Sequence, residues 1–173
     1  SARNLNSISI EELELLPSIP WDKTISEMWN ISEEGAQDKL SRFINEAIED
    51  YNDDRNIPSI KGTSQLSPYL HFGLLSPHQA WYAVLDAFNG DTEKKGVDVF
   101  LSELGWREFS YYLLFHFPTI SHENFNSKFD AFPWRKDAKA LKAWQFGNTG
   151  VPIVDAGMRE LYQTGYMHNR VRM

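Results

Sequence analysis

Apolar positions recur every three or four residues along most of this chain, the spacing of helices that bury one face. From 33 to 51 they fall at Ala36, Leu40, Phe43, Ala47 and Ile48, and the turn-forming run 52–58 then breaks the pattern. Ser76 followed by Pro77 supplies an N-cap and a proline at the first helical position, opening a helix to about Phe88 that Asn89-Gly90-Asp91 closes. A long helix is predicted over 96–117, stopped by Pro118. Shorter ones are predicted over 137–145, before Gly147, and over 152–163, before Gly165. The residues from His168 onward begin another. No run alternates with the period of a strand and no segment repeats, so the fold class is all-α. Residues 1–30, with Pro17, Pro20 and scattered tryptophans, read as an approach segment laid onto a helical domain at 31–173.

Composition agrees with a packed body. Hydrophobic residues make up 42% and aromatics 14% of 173 residues, more apolar surface than a disordered chain carries. There is no cysteine, which excludes disulfides and thiolate metal sites. The chain has no apolar run near the roughly 18 residues of a membrane helix and no signal-peptide pattern, so a membrane partner is not expected. The net charge of −7 argues against nucleic acid at first sight. Its distribution weakens that objection: residues 1–60 hold 5 Lys and Arg against 13 Asp and Glu, whereas residues 61–173 hold 12 against 11. A locally positive groove in the second part remains open.

Three clusters carry candidate chemistry. On the long helix Phe100, Glu103, Trp106 and Arg107 share one face, beside a core stripe of Leu101, Leu104, Tyr111 and Leu114. An acid and an arginine bordering an indole can line a cleft for a flat ligand. The plainer alternative is a Glu103–Arg107 surface pair worth about 0.2–0.5 kcal/mol. In the loop 61–68, Thr63, Ser64 and Ser67 can present hydroxyls and backbone N–H groups to a pyrophosphate at the start of a short helix, or can simply cap that helix. At the end of the chain His168, Asn169, Arg170 and Arg172 gather donors suited to phosphates or base edges. The five histidines lack zinc spacing, and no Walker loop, dinucleotide fingerprint or nucleophile elbow occurs. No metal is expected.

Taken in order, Gly62-Thr63-Ser64-Gln65-Leu66-Ser67-Pro68-Tyr69-Leu70, Glu103-Leu104-Gly105-Trp106-Arg107-Glu108-Phe109, Phe132-Pro133-Trp134, Ala143-Trp144-Gln145-Phe146-Gly147-Asn148-Thr149-Gly150, Pro152-Ile153-Val154-Asp155-Ala156-Gly157-Met158-Arg159 and Met167-His168-Asn169-Arg170-Val171-Arg172-Met173 resemble the flavin-binding domain of the photolyase/cryptochrome family, most closely a class I-type photolyase of cyclobutane pyrimidine dimers. The resemblance implies an all-helical domain that holds a U-shaped FAD and repairs UV-damaged DNA with light. By position it places Tyr51, Thr63, Ser64, Gln65, Leu66 and Ser67 on FAD, with Phe100, Arg107 and Arg172 bordering it. Arg55, Glu103, Trp106, Asn169, Arg170 and Met173 fall at lesion- or DNA-facing positions. Trp134 matches the surface end of the tryptophan chain that feeds electrons to the flavin.

Trp106 and Asn169 favour repair over signalling. Gln65 stands where a basic residue is frequent, and Tyr166 where tryptophan is. The resemblance also implies a preceding antenna domain with a second chromophore of folate or deazaflavin type, and a C-terminal half of the flavin domain beyond Met173. These 173 residues alone are then expected to be inactive, to hold FAD weakly and to self-associate, whereas the intact parent is monomeric and acts at the bacterial nucleoid in the cytoplasm. The competing readings are a blue-light receptor of the cryptochrome type and a non-enzymatic helical interaction module.

Overall fold

The computed structural model describes residues 7–172, and among them every regular element is helical. In chain order these are α1 (Lys23–Met28), α2 (Glu33–Glu46), α3 (Tyr51–Asp54), α4 (Ser67–Phe72), α5 (Pro77–Ala87), α6 (Lys95–His116), α7 (Ala138–Gln145), α8 (Pro152–Thr164) and α9 (Asn169–Arg172), with single 3-10 turns at Glu11–Leu13, Pro118–Ser121 and Ser127–Phe129. The predicted helix starts hold. Ser32 and Asp137 accept from Gly35 and Ala140 N–H groups, and Ser76 with Gln79 forms a full capping box.

The first predicted helix does not run through to residue 51. The Ala47 and Ile48 N–H groups both bond the Phe43 carbonyl, the backbone leaves helical geometry at Ala47, and a separate turn, α3, restarts at Tyr51. The break gives α6 a seat: a Cβ on Gly96 would lie 2.0 Å from the Ile48 carbonyl oxygen, so only glycine permits this approach. Four short helices and α6 then enclose the core. Leu40 and Phe43 of α2, Ile48, Tyr51, Leu66, Leu75, Val84 of α5, and Val97, Phe100, Leu101 and Leu104 of α6 are all buried together.

Helix α6 changes character midway. Its buried residues end at Leu104, and Phe109, Tyr111, Tyr112, Leu114 and Phe115 stand exposed. The expected core stripe is therefore right for Leu101 and Leu104 and wrong for Tyr111 and Leu114, which lie on the exposed half of the helix. The leading segment divides similarly. Trp29 donates its indole N–H to the Thr164 carbonyl at 2.7 Å and Ile25 meets Gly165, while Ile8, Ile10, Leu15, Leu16 and Trp21 remain exposed.

The start of α8 is fixed by one carboxylate. Asp155 accepts from the Thr149 N–H (2.7 Å), the Thr149 hydroxyl (2.6 Å) and the Gly150 N–H (3.0 Å), and Arg159 reaches back to the Gly147 carbonyl at 2.7 Å. The Thr149 hydroxyl bond, more than offsetting partial burial, holds the Asp155 carboxyl below its ordinary 3.8, helped by the two backbone bonds and Arg159. A depressed native pKa means stability that is present above the unfolded value and lost as pH falls through the native one. Asp155→Asn is accordingly expected to flatten the acid limb of a melting-temperature profile below about pH 4; an unchanged acid limb would remove Asp155 from that role. At the other end, a Cβ on Gly157 would come 2.4 Å from Val171 Cγ1, so glycine lets α9 lie directly on α8.

Candidate functional site

Three pieces of chain far apart in sequence meet at one open cleft of about 220 Å³: α3, the loop leading into α4, and the segment from Tyr166 through α9, with Glu103 of α6 between them. Tyr51 forms one wall. Its ring packs edge-on against Phe43 and Phe100, with centroids 5.3 and 5.7 Å away, and the Arg55 guanidinium lies 5.3 Å over it. Burial pushes the Tyr51 phenol above its ordinary value; Arg55 opposes this while Glu103 and Tyr166 add to it. Phe100 is in the core behind that wall rather than in the cleft.

Arg55 Nη1 bonds Glu103 Oε1 at 2.6 Å, with the side chains 16% and 37% exposed. This charge-assisted bond fixes the carboxylate at the cleft lining. The Glu103–Arg107 surface pair does not form. Arg107 instead donates to the Leu70 carbonyl and the Tyr111 hydroxyl, each at 3.3 Å, stacks 4.6 Å over the Tyr111 ring and meets Glu108. Glu103 has found a partner 48 residues away in sequence, a choice that helix spacing could not reveal.

The loop is held from both sides. The hydroxyls of Thr63 and Tyr166 share a hydrogen bond of 3.1 Å, and Gln65 Oε1 accepts from Lys39 Nζ at 2.7 Å. Leu66, at the N-cap position, is buried in the core and offers no capping side chain; Ser64 Oγ accepts only from the Leu66 N–H, at 3.4 Å. Thr63 and Ser67 do not cap α4, so simple capping does not account for this run of hydroxyls. Ser64, Gln65 and Ser67 line the cleft, a donor set whose chemistry suits phosphate oxygens.

Opposite the loop, Arg170 donates from Nε to Asn56 Oδ1 at 2.9 Å, and Asn169 lines the cleft beside it. His168 Nδ1 accepts the Arg170 N–H at 3.2 Å, which leaves the proton on Nε2; that buried atom has no hydrogen-bond partner among the described residues. Burial lowers the imidazole pKa, with Arg170 acting in the same sense and Glu160 against it, in keeping with a neutral ring.

Arg172, Trp106 and Trp134 lie outside the cleft. Arg172 donates to the Met167 carbonyl at 3.1 Å. Trp106 is 62% exposed, its ring edge-on to Phe109, one helical turn beyond Glu103. Trp134 is 77% exposed against Phe132. Met173 lies outside the described residues. Sequence reasoning missed Lys39 of α2 and Asn56 in the turn after Arg55, each of which fixes a cleft residue.

Comparisons with known proteins point to one family. A profile for the FAD binding domain of DNA photolyase matches residues 100–173. A deoxyribodipyrimidine photo-lyase of Agrobacterium fabrum is 47% identical over 168 residues, which cover 96% of this chain and 35% of the relative. Cryptochrome-2 of Arabidopsis thaliana is 37% identical over 183 residues, covering 100% of this chain and 30% of its own length. The crystal structure of a bacterial class III photolyase from Agrobacterium tumefaciens superimposes with a TM-score of 0.89 at 46% identity, covering 97% of this chain and 35% of that one. The sequence resemblance pointed to a class I-type enzyme, and this solved structure is of class III. The chain spans about a third of the length of these relatives.

Proposed function

Because the chain belongs to the DNA photolyase/cryptochrome family, we propose that it is the front part of a flavin-binding domain whose intact protein repairs cyclobutane pyrimidine dimers in UV-damaged DNA with light. The carrying observation is the meeting, in one cleft, of the hydroxyl-rich loop with the Arg55–Glu103 pair, Asn169 and Arg170. Reduced FAD, when bound, supplies the photoexcited electron. The chain's residues do the rest. Tyr51 and the loop Thr63, Ser64, Gln65, Leu66 and Ser67 hold the cofactor's phosphates. Phe100 backs the Tyr51 wall, and Arg107 and Arg172, each tied to a backbone carbonyl, border the cofactor.

A dimer must leave the base stack to reach such a cleft. Trp106 is the face it stacks on. Glu103, oriented by Arg55, meets the pyrimidine edge, where a fixed polar group stabilises the charge that develops there. Asn169 and Arg170 grip the flanking strand, with Met173 at the pocket. Trp134 is the surface entry of a tryptophan chain toward the cofactor. A preceding antenna domain carrying a folate or deazaflavin chromophore completes the assembly. We place the intact protein in the cytoplasm as a monomer.

Illuminating the intact protein with an oligonucleotide that carries one thymine dimer tests this, with dimers restored counted against a dark control. Light-dependent restoration is expected. Bound flavin without restoration would move the assignment to the second reading, a cryptochrome-type receptor, which the match to Cryptochrome-2 along the whole chain favours. Absence of flavin from the intact protein would leave the helical interaction module. Residues 1–173 alone are expected to bind FAD weakly and to self-associate through the exposed Phe109, Phe115, Trp144 and Phe146. Tight stoichiometric binding in a flavin titration would contradict the need for a further half-domain.

A further inference from the structure

Lys39, half-buried on α2, carries its ammonium 5.3 Å over the Trp29 ring and bonds Gln65 Oε1 rather than any carboxylate. Trp29 is itself anchored to the Thr164 carbonyl, so the lysine cannot swing away without losing both contacts. In a chain of net charge −7, Lys39, Arg42 and Lys61 form a group of cations that make no ion pair among the described residues. Burial first, then Arg42 and Lys61, hold the Lys39 ammonium below its ordinary value, and no acid opposes them.

An ammonium has donors only, so it dictates which end of the glutamine amide faces it. With Oε1 taken by Lys39, the donor capacity left on Gln65 is the Nε2 amide, on a residue that lines the cleft. Gln65 also holds a left-handed backbone, φ 54°, uncommon for a residue with a Cβ and kept only where neighbours enforce it.

We propose that Lys39 and Gln65 act as one anion-binding unit for the diphosphate of the flavin dinucleotide, Lys39 fixing and polarising the Gln65 amide so that its N–H groups bind phosphate oxygen. Lys39 is a positioning residue: from another helix it holds the Gln65 amide by its oxygen. This inference rests on the flavin reading of the cleft and deepens it.

The test is flavin affinity of the intact protein, stripped of cofactor and titrated separately with FAD and with riboflavin, which lacks both phosphates. Lys39→Met is expected to weaken FAD about tenfold, the size of one charge-assisted hydrogen bond, and to leave riboflavin affinity unchanged. Lys39→Arg should stay near wild type. The double variant K39M/Q65K, which moves the cation onto the loop, should recover most of the lost FAD affinity. Unchanged FAD binding in Lys39→Met would overturn the proposal. So would equal loss of FAD and riboflavin, or a double variant no better than the single one, since either marks a merely structural contact. If the wild-type protein binds no FAD, the flavin reading itself falls and takes this inference with it; binding by wild type that is indifferent to Lys39 removes the inference alone.

Discussion

Truncating Trp106 to alanine is expected to weaken binding of dimer-containing DNA by the intact protein roughly ten- to a hundredfold, the loss of about 1–3 kcal/mol of base–indole stacking. The same change should shift the melting temperature by only about 1–2 °C. The two magnitudes separate because of where the ring sits. The indole is 62% exposed and touches Phe109 edge-on, so it adds little to folding. Affinity for undamaged DNA should hardly change, since phosphate contacts such as those assigned to Arg170 are sequence- and lesion-independent. Competition between damaged and undamaged duplexes measures this directly. Unaltered discrimination in Trp106→Ala would mean that the flipped lesion lies against another surface.

The second large effect is on stability. Gly96→Ala places a Cβ 2.0 Å from the Ile48 carbonyl oxygen and 2.6 Å from that of Glu49. Both are backbone atoms, so relief requires α6 to move off the turn at residues 48–49. Alanine in a helix ordinarily gains up to about 1 kcal/mol over glycine. Overpacking against an unyielding neighbour costs about 1–3 kcal/mol and sometimes more. The clash wins, and a net loss of about 2 kcal/mol corresponds to a melting temperature lower by roughly 4–8 °C for a chain of this size. Cofactor binding should suffer too. The same helix places Phe100 behind Tyr51 and Glu103 against Arg55, and a displaced α6 loosens both. A melting temperature equal to wild type would show that the turn yields instead.

Much of the scaffold was readable from local signals. Ser76-Pro77 with Gln79, Asp137 and Pro152 mark helix starts through short-range hydrogen bonds and fixed φ, which the nearest three residues determine. The motif order also carried the family and the neighbourhood of Thr63–Ser67 with Asn169 and Arg170. Other features depended on partners distant in sequence. The helix predicted through residue 51 breaks at Ala47, and α6 docks on the turn that follows; Tyr111 and Leu114 are exposed although their spacing suits a core.

The sequence by itself determined the helices, their caps and the pool of polar side chains, because capping and periodicity are set within a turn or two of chain. Only the tertiary structure decided how those side chains pair: Glu103 with Arg55 rather than Arg107, Gln65 with Lys39, Arg170 with Asn56. The physical reason is that an ionic or amide group takes the partner that packing brings within about 3 Å, and helix spacing fixes only which neighbours on its own helix are available.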